Sequence, residues 1–184
     1  MSETIVQKFG GTSLGSVERI DAVAEIIKKA SKKNKIAVVV SAMSGETNWL
    51  IDLANSFGNN PDKREFDALV STGETISSAL LSMALHSKGI KARSFSASQI
   101  AIRTTSSYSK AKILDVDAKK ILDVLENDTI PIITGFQGIT EGGDITTLGR
   151  GGSDTTAVAI AAQINANRCD IYTDVDGIFT TDPD

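Results

Sequence analysis

A three-layer α/β/α sandwich around a mostly parallel sheet is the fold this sequence predicts, and three observations lead to it. Apolar residues switch repeatedly between a strand period of two and a helical period near 3.6. The connections between these segments are short, which favours neighbouring elements wound in one sense. The run Ile36-Ala37-Val38-Val39-Val40 is apolar without a break, as in a strand covered on both faces.

Taken in order, Thr4–Phe9 reads as a strand ending in Gly10-Gly11. Val17, Ile20, Val23, Ala24 and Ile27 then fall at helical spacing, with Ser16 as N-cap and a basic tail at 28–35. After the 36–40 strand, residues 48–57 predict a helix closed by Gly58, and 59–64 an exposed turn. A longer helical pattern runs through Phe66, Leu69, Ile76, Leu80 and Met83 to Gly89. Residues 90–95 read as strand, 101–111 are polar and undecided, 117–125 predict a helix and Ile130–Thr134 a strand. Residues 135–143 read as a hairpin-like glycine-rich stretch. Residues 155–164 form a helix apolar nearly all round, hence deeply buried, and 170–175 the last strand. Thr181-Asp182-Pro183-Asp184 follows with no helix to cover that strand, so one domain, incomplete at its C-terminus, is expected.

Composition narrows the function. The 184 residues carry 19 Lys and Arg against 23 Asp and Glu, a formal charge of −4, which does not favour nucleic acid or an anionic membrane as partner. A hydrophobic fraction of 41% and a charged fraction of 23% exclude disorder and a disulfide scaffold. The single cysteine, Cys169, cannot pair within the chain, which fits a cytoplasmic setting, and it reads as a small buried hydrophobe. No apolar run approaches ~18 residues and no signal-peptide core precedes the first strand. A single histidine, His86, reads as structural at a helix end and leaves serine-triad or multi-histidine metal chemistry without residues. Trp49 and the six phenylalanines read mostly as core or helix packing.

The 15 glycines are clustered. Three clusters directly follow strands: Lys8-Phe9-Gly10-Gly11-Thr12-Ser13, Ser41-Ala42-Met43-Ser44-Gly45 and Gly135-Phe136-Gln137-Gly138. A fourth, Gly149-Arg150-Gly151-Gly152-Ser153-Asp154, precedes the last helix. Ligands of open α/β sheets collect at the carboxyl ends of strands, where glycines let backbone N–H groups approach an anion. Four clusters at one edge point to a phosphate site. The first lacks the Gly-Lys-Ser/Thr ending of a Walker loop, and Thr12 occupies the second glycine of the dinucleotide fingerprint, so both motifs are excluded. Lys8 then stands at a strand end, either solvated or aimed at a ligand. Gly73 costs a helix about 1 kcal/mol relative to alanine, which points to close packing or a ligand contact beside Glu74; exposure of Glu74 is the alternative. Arg150 offers the planar fork suited to carboxylate or phosphate, and Asp154 is either an N-cap or a site residue.

Together with Val39-Val40-Ser41-Ala42-Met43, Thr47-Asn48, Ser71-Thr72-Gly73-Glu74, Thr147-Leu148, Thr155-Thr156 and Tyr172-Thr173-Asp174-Val175-Asp176-Gly177, these clusters carry a resemblance. The sequence resembles the aspartokinases of the amino-acid kinase family, in the family's motif order and over nearly the whole chain. The resemblance implies ATP- and Mg²⁺-dependent phosphorylation of the β-carboxylate of L-aspartate in a cytoplasmic homodimer, at the head of lysine, threonine and methionine synthesis. It implies that Lys8 bridges the transferred phosphoryl group and that Asp154 orients this lysine. Gly10, Gly11, Thr12 and Ser13 would cradle phosphate, and Ser41 would contact it on the substrate side. Arg150, with Ser153, Thr47 and Gly135, would hold a substrate carboxylate, and Glu74 the α-ammonium. Thr173, Asp174, Phe179 and Asp182 would line the nucleotide pocket. The family more often has tyrosine at position 179 and arginine at 184, where this chain has Phe179 and Asp184. Residues 1–184 are thus expected to be a catalytic domain cut before the end of the ATP subsite and before regulatory ACT domains. Two alternatives remain at this stage: a non-catalytic aspartate-binding or dimerisation module, and a kinase of the same fold acting on another acid or a nucleotide. The chemistry suits a carboxylate acceptor, because an acid with pKa near ~3.9 is already ionised and needs no general base.

Overall fold

A computed structural model describes residues 2–58 and 60–173. The strand β1 (Thr4–Phe9) leads through a tight turn at Thr12–Leu14 into α1 (Val17–Ser31), β2 (Lys35–Val40) and α2 (Glu46–Asn55). Then come α3 (Lys63–Val70), α4 (Thr72–Ser87), β3 (Ala92–Phe95) and the single-turn α5 (Ala97–Ile100). Short strands β4 (Arg103–Thr104) and β5 (Ile113–Asp115) precede α6 (Ala118–Glu126) and β6 (Ile130–Thr134). The hairpin β7 (Gln137–Ile139) and β8 (Ile145–Thr147), then α7 (Gly152–Gln163) and β9 (Arg168–Tyr172), complete the order.

The main sheet runs β3-β6-β2-β1-β9 and is parallel throughout. Its two faces separate by the period of two. Ile5, Phe9, Val38 and Val40 pack with Ile20, Ile27, Leu81 and Leu85 from α1 and α4. Val6, Ala37, Val39 and Ile133 pack with Ile121, Leu125, Ala157 and Ile160 from α6 and α7. The unbroken apolar run in β2 is therefore explained: every residue after Lys35 is buried, each fully buried branched side chain contributing roughly 1.5–3 kcal/mol. This is the predicted three-layer arrangement. A second, four-stranded sheet in the order β5-β4-β7-β8 stands beside it, mixed in direction.

Ser16 caps α1 as expected, accepting the Arg19 N–H at 3.3 Å, and Asp117 caps α6. Other expectations need correction. The single pattern over 66–87 is two helices broken at Ser71, because the Ser71 carbonyl accepts from Gln137 Nε2 at 2.8 Å. The segment Lys63–Ser87 is long and apolar enough to cross a membrane by length and composition, yet half of its most apolar window is buried within the protein. The helix expected at 48–57 starts at Glu46, behind Gly45 in a left-handed conformation (φ 84°), and its cap is Ser56 rather than Gly58. Asp62 accepts from the N–H groups of Arg64 and Glu65, so α3 begins inside the stretch read as a turn. The helix α7 starts three residues before the expected 155, and it is buried on one face only, with Val158 exposed. The last strand begins at Arg168, and positions 174–175 lie outside the described residues. Trp49 and Phe57 are exposed rather than core.

The expected close packing at Gly73 is real. A Cβ there would lie 2.7 Å from the Ala42 Cβ. We therefore expect Gly73→Ala to lower stability by about 1–3 kcal/mol through overpacking, despite the better helix propensity of alanine. Thermal unfolding checks this, and an unchanged or raised midpoint would show that the Ala42 turn yields.

Candidate active site

Register brings the carboxyl ends of three central strands together. Phe9 pairs with Val40 and with Tyr172, and Val40 pairs with Thr134. The ladder continues past them: Ser41 N–H donates to Phe9 carbonyl at 3.1 Å, Gly135 N–H to Val40 carbonyl at 2.9 Å, and Gly10 N–H to Tyr172 carbonyl at 3.3 Å. The three glycine-bearing turns thus lie side by side on one edge, where a cavity of about 710 Å³ opens.

Lys8 is not a solvated strand-end lysine. It is 8% exposed, and its Nζ lies 2.7 Å from Asp154 Oδ1 in the first turn of α7. Asp154 is not an N-cap either, because that position is Gly151 (φ 73°) with no side-chain cap bond. The polar first turn of this helix belongs to the cavity, which explains why the apolar period began late.

Beside the pair, Gly11 is required by contact. A Cβ there would meet the Ala42 carbonyl oxygen at 2.9 Å, so a side chain would push apart two turns that form the cavity floor. Gly10 N–H is engaged by Tyr172, which leaves it less available to an anion than the sequence suggested.

Glu74 is buried in the first turn of α4, settling the alternative of surface exposure. Its Oε1 accepts the Ala42 N–H at 3.1 Å, whereas Oε2 has no hydrogen-bond partner among the described residues. Burial pushes the carboxyl up to about 7 against the lowering effect of backbone N–H donors. A buried acceptor with a spare oxygen lining a cavity is suited to a cationic ligand group. Arg150 stands exposed on the rim, with no acidic partner among the described residues. Opposite formal charges therefore serve one cavity.

Of the expected site residues, Lys8, Gly10, Gly11, Thr12, Ser41, Thr47, Glu74, Arg150, Ser153, Asp154 and Thr173 line this cavity. Ser13 and Gly135 are not among its lining residues. Gly135 instead packs under α7, where a Cβ would lie 2.8 Å from Ser153 Oγ. Asp174, Phe179 and Asp182 lie outside the described residues. Among the described residues no group of three His, Cys, Asp or Glu forms a metal cage.

Sequence reasoning passed over Asp67 and Ser109, and gave Thr147 no role beyond its place in a motif. Ser109 and Thr147 line the cavity, and Asp67 holds both. The available signal was an aspartate on the buried face of α3, beside Val70 three residues on.

A parallel sheet with helices on both faces and glycine turns gathered at its carboxyl edge defines a ligand-binding α/β protein of the open-sheet type. Residues 3–184 match the amino acid kinase family, and the chain belongs to that family. It is 56% identical over 180 residues to an aspartokinase of Geobacillus stearothermophilus, covering 97% of this chain and 44% of the relative. The chain therefore spans less than half the length of that relative. Among solved structures, E. coli aspartokinase III in complex with aspartate and ADP superposes with a TM-score of 0.89 at 29% identity, covering 98% of this chain and 51% of that one. Aspartate kinase from Synechocystis gives 0.81 at 49% identity, covering 97% and 30%.

Proposed function

We propose that the protein transfers the γ-phosphoryl group of ATP to the β-carboxylate of L-aspartate, forming 4-phospho-L-aspartate and ADP. The observation that carries this reading is the pairing, at one cavity, of Arg150 and Glu74 with the ion pair of buried Lys8 and half-exposed Asp154. Arg150 and Glu74 match the two ends of a zwitterion, each charge-assisted contact contributing roughly 1.5–3 kcal/mol. The relatives called aspartokinase, and the related E. coli structure holding aspartate and ADP, support the same assignment.

In this reading the β-carboxylate oxygen attacks the γ-phosphorus as the bond to the β–γ bridging oxygen breaks, with no proton to remove. Lys8 neutralises charge on the transferring group, and Asp154 holds its ammonium in place. The close approach of Gly11 to the Ala42 turn keeps a backbone cradle free of side chains for phosphate, with Thr12 and Ser13 continuing the turn. Ser41, Thr47 and Ser153 stand on the substrate side, with Gly135 supporting Ser153. Thr173, Asp174, Phe179 and Asp182 take the nucleotide side. Mg²⁺ fits as an ion carried on the phosphate oxygens, where it would offset their charge. We place the reaction at the head of lysine, threonine and methionine synthesis, in a cytoplasmic homodimer whose catalytic domain includes residues 1–184.

The test is full-length protein with ATP, Mg²⁺, L-aspartate and hydroxylamine. Aspartate-dependent hydroxamate together with ADP release is the expected result. Equal turnover across a panel of acids would overturn the aspartate assignment, and no turnover with any acid would overturn the kinase assignment.

A further inference from the structure

Asp67 is fully buried, and its two oxygens accept four hydrogen bonds. Oδ1 accepts from the Ser109 hydroxyl at 3.0 Å and the Thr147 hydroxyl at 2.9 Å. Oδ2 accepts from the Ser109 N–H at 2.8 Å and the Thr147 N–H at 2.7 Å. Four donors fill the capacity of a carboxylate, so Asp67 has nothing left to offer a molecule in the cavity. Its action falls on the protein itself.

Both partners lead to the rim. Ser109 holds a left-handed turn (φ 64°), and its carbonyl oxygen would lie 3.3 Å from a Cβ at Gly149. Thr147 ends β8, three residues before Arg150, and its carbonyl accepts the Ala111 N–H at 2.9 Å. Asp67 itself sits on α3, seven residues before Glu74 across the break at Ser71. One carboxylate therefore ties the turn carrying Arg150 to the helix pair carrying Glu74. A second link joins the same elements through Asp144, by an exposed and correspondingly weak ion pair with Arg64 and a half-buried hydrogen bond from the Tyr108 hydroxyl.

We propose that Asp67 is a positioning residue for the amino-acid substrate, setting the span between Arg150 and Glu74. This rests on the aspartate reading above. Lys8, Gly10 and Gly11 stand on the main sheet, which Asp67 does not bond, so its influence falls on the amino acid and not on the nucleotide.

Asp67→Asn keeps the volume but turns one acceptor toward two donors as an amide NH₂. In full-length protein we expect the KM for L-aspartate to rise about tenfold or more, with the KM for ATP within about twofold. Amide hydrogen exchange at Ser109 and Thr147 should quicken at least about tenfold, with Val38 and Val39 unchanged. Ser109→Ala removes one bond only and should raise the KM for L-aspartate about threefold. Equal rises in both KM values, or a lowered melting point with both unchanged, would overturn the proposal. If Asp67→Asn fails to fold, Ser109→Ala carries the test, and an unchanged KM for L-aspartate overturns it. Should the parent turn over no aspartate, the reading of function fails separately, and unaltered exchange at Ser109 and Thr147 in Asp67→Asn would still refute the tie.

Discussion

Lys8→Ala is expected to abolish most turnover, lowering kcat at least about 10³-fold while the protein stays folded. Lys8 and Arg150 are the only cationic side chains lining the cavity among the described residues, and Lys8 alone is buried there. An ammonium in that position acts where water screens little, so its effect on developing phosphate charge is large. Its loss has a second consequence. Asp154, 2.7 Å away in the parent, would face incoming phosphates as an uncompensated anion. Removing Asp154 as well should therefore cost little beyond Lys8→Ala, and the double variant should be no slower than the single one. Asp154→Asn alone keeps the charge of Lys8 but loosens its aim, and about a 10–100-fold loss is expected. Steady-state hydroxamate formation reads all three. A Lys8→Ala protein retaining more than about a tenth of parental kcat would remove the lysine from the chemistry.

Much of this site was legible because it is built from local signals at strand ends. Short apolar runs located β1, β2 and β6 within a residue, and each ended in glycine-bearing turns that register then placed side by side. What could not be read depends on partners distant in sequence. The break between α3 and α4 arises from Gln137, 66 residues away, because Ser71-Thr72-Gly73 can equally continue a helix. The strands β4 and β5 are two and three residues long and take their form from pairing in the second sheet. Gly135 resembles a phosphate turn locally, yet its lack of a side chain serves Ser153. Local pattern left Lys8 open between solvent and a ligand because its cover, α7, lies more than 140 residues later.

Glu74 should make affinity for L-aspartate depend on pH around neutrality. Burial raises its carboxyl to about 7, so without substrate the group is largely protonated below neutrality. A substrate ammonium pairs with the ionised form. Affinity for L-aspartate is thus expected to rise with pH up to about 7 and then level off, with the KM increasing about tenfold per unit on the acid side. Stability runs the other way. The folded pKa lies above the ordinary value of 4.5, so the native state holds a proton that the unfolded chain releases. Native stability should fall as pH rises from about 4.5 to 7, by about 3 kcal/mol in all. Glu74→Gln keeps the shape without the titration. It should flatten both profiles and raise the KM for L-aspartate about 10–100-fold with little change in kcat, because the lost contact is made equally in the ground and transition states. Its own melting point should match or exceed the parent's at pH 8, where the parent carries a buried, unpaired charge. Added L-aspartate should raise the parent's melting point more at pH 8 than at pH 6, and the variant's equally at both. A parent shift independent of pH would mean that the ammonium is held elsewhere, and Glu74 would then be a purely structural acceptor for the Ala42 turn.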